Sequence, residues 1–143
     1  MSKIIYTNPD GTVSIINPTG DVNDAIKDVP TGLSYEIVED SVIPTDRTFR
    51  NAWKQNSKTI ETDIAKAREI HKNNIRAARE PLLNALDIEF QKALETSSST
   101  TDIVNKKQAL RDAPADSAIA SASNEAELKA QWNTSILGTS PYS

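Results

Sequence analysis

Residues 59–95, TIETDIAKAREIHKNNIRAAREPLLNALDIEFQKALE, decide the fold. Ile60, Ile64, Ala67, Ile70, Ile75, Ala78, Leu82, Leu86, Phe90, Ala93 and Leu94 recur at a period near 3.6 rather than 2, and most positions between them are Lys, Arg, Glu, Asp or Asn. The stretch predicts one amphipathic helix from Thr59 to about Glu95, roughly 55 Å long at about 1.5 Å per residue. Pro81 has no N–H to give the Ala77 carbonyl, so the helix kinks or restarts there; a kink is preferred because Ala78 and Leu82 stay in phase across it.

Downstream, the hydroxyl run Thr96 to Thr101 ends the helix. Asp102 is placed to cap a second helix over Ile103–Asp112 that folds back antiparallel on the first. Ala113-Pro114 stops it, and 115–123 carries little pattern. Asn124 with Glu127 forms a capping-box pair opening a helix over Glu125–Trp132, with Leu128 and Trp132 on one face. Residues 133–143 read as a polar tail that needs something to hold it.

Upstream, Ile4-Ile5-Tyr6 and Val13-Ser14-Ile15-Ile16 flank Asn8-Pro9-Asp10-Gly11, which predicts a β-hairpin. Asp21 caps a short helix carrying Val22, Ala25, Ile26 and Val29, and Pro30 ends it. Alternation from Leu33 to Glu39 gives a third strand, without which the hairpin would be marginal. Thr45-Asp46 opens a turn or helix bearing Phe49 and Trp53, and 55–58 is the expected joint between halves. The fold class is therefore α+β. A small β-rich unit spans 1–55, a helical region 59–132 and a tail 133–143.

Composition limits what this architecture can do. With 37% hydrophobic and 5% aromatic residues, the core is expected to be thin or completed by a partner, self-association included. A formal charge of −4 argues against nucleic acid. No apolar run reaches membrane-spanning length, and the N-terminus turns polar too soon for a secretory signal, so no membrane role is expected and cytoplasmic synthesis is the default. Without cysteine there is no disulfide, thiolate site or cysteine nucleophile.

No residue pattern asks for catalysis, a cofactor or a metal. His71 falls on the apolar stripe with no partner that sequence can supply, which favours a structural role. Asp87/Glu89 and Glu61/Asp63 are two apart and point to different helix faces. Four unclustered glycines exclude a phosphate-cradling loop, and the Asp10 turn lacks the oxygen ligands of a calcium loop. The candidates that stand out are for binding. Arg68, Lys72, Arg76 and Arg79 share a helix face, a solvated edge or a docking edge for an acidic partner, and Trp53 and Trp132 are core residues or interface anchors.

Two short stretches carry a resemblance. Asp46-Arg47-Thr48-Phe49-Arg50-Asn51-Ala52-Trp53 is similar to a segment of small phage and prophage proteins, and Lys107-Gln108-Ala109-Leu110-Arg111-Asp112-Ala113-Pro114 resembles an element of bacteriophage tail fibre assembly proteins. In those proteins an Arg-containing helix with paired leucines precedes the element, as Arg79 to Leu83 does here. The similarity covers mainly residues 46–132. Ile88 after Asp87 and Asn133 after Trp132 depart from that pattern, where Trp and Pro are usual. The resemblance implies a non-enzymatic role in tail or tail fibre morphogenesis: a chaperone that binds a tail or fibre protein in the cytoplasm, or alternatively an adaptor, attachment or decoration protein resident in the virion.

Overall fold

The computed structural model describes residues 1–142 and shows an α+β protein: two small antiparallel sheets, then one long helix and four shorter ones. It divides into two compact units, Met1–Ala67 and Arg68–Ser143.

The first unit is built on strand β1 (Ser2–Thr7), flanked by β2 (Val13–Ile16) and β3 (Tyr35–Glu39), both antiparallel to it. Register places Ile4 opposite Ile16 and Ile37, while the next residue, Ile5, lies opposite Ile15. Successive strand side chains face opposite ways, so this sheet is apolar on both faces. Ile4 and Ile5 are both fully buried. The Ile5 face packs with Val13, Val38, Ile43 and Trp53. Along β1 also lies the 3-10 helix Val22–Asp28, capped by the Asp21 carboxylate on Asn23 N–H and burying Ala25. The β1–β2 turn is closed by Asn8 N–H on the Thr12 carbonyl (2.8 Å) and by Gly11, whose φ of +87° suits glycine. Asp10 accepts from the Thr12 hydroxyl (2.6 Å) and N–H (2.9 Å), which lowers its pKa.

The joint expected at 55–58 is instead the turn of a second hairpin, β4 (Trp53–Asn56) with β5 (Thr59–Thr62). Ile60 and Ile64 are four apart and so fit a helix, but Thr59-Ile60-Glu61-Thr62 also alternates and is rich in β-branched residues, and pairing with β4 decides between the two. Ser57 supplies a positive φ of +53° at the turn. Phe49 and Trp53 consequently do not share a helix. Asp46 accepts from Thr48 N–H (3.0 Å), a 3-10 turn spans Arg50–Ala52, and Trp53 opens β4.

Helix α1 therefore starts at Ile64, with Asp63 as its cap toward Lys66 N–H (3.3 Å), and continues unbroken through Pro81 to Glu95. At its end, Ser98 N–H reaches the Ala93 carbonyl (2.8 Å) and Ser97 N–H the Leu94 carbonyl (3.3 Å), with Ser97 at φ +57°. This is the pair of bonds of a Schellman motif, carried on serine where glycine is usual.

Within the second unit, α2 (Thr101–Asp112) returns antiparallel to α1. Lys107 pairs with Asp87 (2.5 Å) and sits 5.3 Å from the Phe90 ring, while Leu110 is buried. Its cap is Thr100, with Asp102 in the first turn instead. The patternless stretch after Pro114 holds α3 (Ser117–Ser121), capped by Asp116 on Ala118 N–H (2.9 Å). Helix α4 (Glu125–Ala130) stops before Trp132 and opens on Asn124, whose carboxamide oxygen accepts from Glu127 N–H (2.8 Å). The Glu127 carboxylate reaches back to Ser123 N–H (2.7 Å), one residue earlier than a standard capping box. Residues 133–142 are not a loose tail. Asn133 caps α5 (Thr134–Leu137), Leu137 is buried and Tyr142 is seated on α1. Isolated apolar residues in so short a stretch show no period that sequence could register.

Replacing Ser97 by glycine removes the cost of a left-handed side-chain-bearing residue, about 1 kcal/mol. Thermal unfolding of Ser97→Gly is expected about 3 °C higher; an unchanged or lower midpoint would contradict the motif.

Candidate functional site

The four cations of the basic stripe lie along α1 but do not form one open edge. The Arg68 guanidinium donates to the Ala122 carbonyl at the end of α3 (2.7 Å), and its Nε is buried without a partner among the described residues. Arg79 donates to the carbonyls of Leu110 (3.3 Å) and Arg111 (2.9 Å) in the last turn of α2. Carbonyls at a helix C-terminus lack intrahelical donors and carry its negative dipole end, so each arginine stops a neighbouring helix electrostatically and by hydrogen bonding. Lys72 pairs with Glu69 (3.5 Å), and Arg76, exposed, bonds Asn73 (2.7 Å). Spacing on α1 was legible; which cations turn inward depended on where α2 and α3 end.

The two tryptophans also part ways. Trp53 is 1% exposed in the first unit's core, with Arg47 5.9 Å from its ring and its Nε1 unpartnered among the described residues. Burial removes it as a docking anchor. Trp132 is half-buried in the second unit and donates from Nε1 to the Gly138 carbonyl (3.0 Å).

Trp132 belongs to a cluster that sequence could not assemble. His71 is fully buried, 5.5 Å from the stacked Tyr142 ring and 6.2 Å from Trp132 edge-on. Its Nε2 lies 2.8 Å from the Gln131 carbonyl and its Nδ1 2.6 Å from the Tyr142 hydroxyl. A carbonyl can only accept, so Nε2 carries the proton, Nδ1 accepts from the phenol, and the phenol oxygen accepts from the Asn74 amide (3.1 Å). Every polar atom of the neutral ring is thereby satisfied. Burial lowers the His71 pKa, opposed by the Gln131 carbonyl, and burial raises that of Tyr142. Tyr142, Gln131 and Asn74 carried no sequence signal, since Tyr142 lies 71 residues from His71.

The second unit holds two cavities, the first of which reaches this cluster at Gln131. One of about 490 Å³ is bordered by Ile75, Ala109, Asp112, Asp116 and Leu137, and one of about 380 Å³ by Leu82, Leu86, Glu89, Lys106 and Leu110. Ile136 of α5 borders both. Among the described residues, no group of three or more His, Asp or Glu is placed to hold a metal ion, and no helix is long and apolar enough to cross a membrane. The fold and site define a helical-hairpin protein with a β-rich N-terminal unit. The chain matches no protein-family model, no curated protein and no solved structure.

Two outcomes are expected. Arg79→Ala leaves the end of α2 uncapped and lowers unfolding free energy by about 1–2 kcal/mol, whereas Arg76→Ala changes it by less than about 0.5 kcal/mol; equal effects in urea titrations would refute the capping role. For His71, the unfolded ring titrates near 6.5 and takes up a proton that the folded ring resists. Its contribution is thus complete above pH 6.5 and is lost as the pH falls from there through the lower folded value. The urea midpoint should fall between pH 7.5 and 5.5, and His71→Gln should flatten that slope.

Proposed function

We propose that this chain is a non-enzymatic protein of bacteriophage tail or tail fibre morphogenesis, acting in the host cytoplasm by binding a tail or fibre protein on its α1–α2 hairpin. The observation that carries the reading is the hairpin's surface. Ile88 and Leu94 on α1 and Val104 on α2 are 60%, 55% and 45% exposed. Large apolar side chains left uncovered on a charge-dense hairpin are the material of a protein interface.

The stretches that resemble tail fibre assembly proteins support it further, because they meet in the folded chain. Arg79, from the arginine-and-leucine segment, grips the Leu110 and Arg111 carbonyls of the 107–114 element, while Lys107, Leu110 and Pro114 of that element anchor or bury against the second unit. What looks like a short word in sequence is the means of fastening α2 to α1.

Ile88→Glu, Leu94→Glu and Val104→Glu place charge on that surface without touching the buried face. Combined, they are expected to abolish co-purification with a co-expressed fibre or tail protein while leaving the helical circular dichroism intact. Retained co-purification would remove the hairpin as the docking surface. Mass spectrometry of purified virions separates the two forms of the role: absence supports the chaperone, and stoichiometric presence makes the chain a resident adaptor or decoration protein.

A further inference from the structure

The cavity of about 490 Å³ in the second unit has an apolar base and an acidic mouth. Ile75 of α1 and Leu137 of α5, both buried, lie at the base, and Ala109 of α2 extends it. Asp112, the last residue of α2, and Asp116, the cap of α3, border the mouth and are exposed. Each carboxylate has given one oxygen to a neutral donor: Asp112 accepts from the Gln108 amide (2.9 Å) and Asp116 from Ala118 N–H (2.9 Å). Among the described residues neither aspartate pairs with a cation, and no Lys, Arg or His borders the cavity. The smaller cavity differs, since Glu89 and Lys106 both border it and their opposite charges select neither sign.

We propose that the larger cavity binds a small amphiphilic amine, its apolar body against Ile75, Ala109 and Leu137 and its ammonium at the Asp112 and Asp116 carboxylates. Charge complementarity fixes the head. An ammonium at the mouth meets two carboxylates and the negative end of the α2 dipole, and the carboxylate oxygens left over can accept its hydrogens. The Leu110 and Arg111 carbonyls are already held by Arg79, so the dipole acts there as a field and not as a ligand. An anionic head would be repelled, and an uncharged one would leave both carboxylates without a partner. Size fixes the body. The volume falls within the range of about 300–1,000 Å³ usual for small-molecule sites, whereas the aliphatic stem of a lysine would leave most of it empty. The ligand is therefore a free molecule with a ring-sized apolar part, and not a lysine presented by a partner chain. This assignment does not depend on the tail role proposed above.

The full chain, isotope-labelled for amide NMR, is titrated at pH 7 with 2-phenylethylammonium, 2-phenylethanol and 3-phenylpropanoate, which share an aromatic body and differ in the charge of the head. The ammonium is expected to shift the amides of Ala109, Ala113 and Ala115 and to bind about tenfold more tightly than the alcohol, with the carboxylate weakest. Asp112→Asn combined with Asp116→Asn keeps an acceptor for Gln108 and a cap for α3 while removing both charges. That variant should bind the ammonium no better than the alcohol, with its helical circular dichroism intact. Ala109→Leu, which fills the base, should weaken both ligands together. Equal affinity for ammonium and alcohol, undiminished affinity in the double variant, or shifts confined to amides away from the cavity would overturn the site. Nα-acetyl-lysine amide separates the two sources of an ammonium: weaker binding than 2-phenylethylammonium supports a free ligand, and equal binding would overturn it in favour of a partner's lysine.

Discussion

A helix of 32 residues with a one-sided apolar stripe needs cover along its length, and among the described residues no other helix is long enough to supply it. From Arg68 onward the cover is a succession of short pieces: α2 and three helices of four to six residues. Short helices have a high proportion of unsatisfied backbone groups at their ends. The second unit meets that demand with side chains at both ends. Asp116, Asn124 and Asn133 accept from N-terminal amides, and Arg68 and Arg79 of the long helix donate to C-terminal carbonyls. The charged edge of α1 is therefore partly an internal scaffold.

Sequence made visible whatever depends on neighbours along the chain. The hairpin of β1 and β2, the Asp21-capped turn, the third strand, the end of α1 at Glu95 and the Asn124 cap all rest on periods or caps spanning a few residues. It misplaced what depends on distant partners. Residues 53–62 satisfy a helical and a strand reading at once, and pairing between β4 and β5 resolves them. Trp53 and Trp132 look alike as isolated aromatics, yet one is sealed in a core and the other borders a polar cluster. The His71–Tyr142 contact joins residues whose intervening chain says nothing about their meeting.

The proposed docking surface and the basic stripe are consequently different places. Two of the four cations drawn from charge spacing, Arg68 and Arg79, are occupied inside the second unit, whereas Ile88, Leu94 and Val104 are apolar residues left exposed. A hairpin whose inner face is used for folding and whose outer face carries a few exposed apolar side chains can bind through those without changing its own structure.

Strand β1 has a consequence of a different kind. Because Ile4-Ile5 and Ile15-Ile16 are each adjacent pairs, a one-residue slip between these strands would still set isoleucine on both sides of the sheet. Hydrophobic alternation, which normally forbids such a slip, has little authority here. Alignment is held by the loop, through Gly11 and the Asp10–Thr12 bonds, so the least apolar part of the hairpin acts as its ruler.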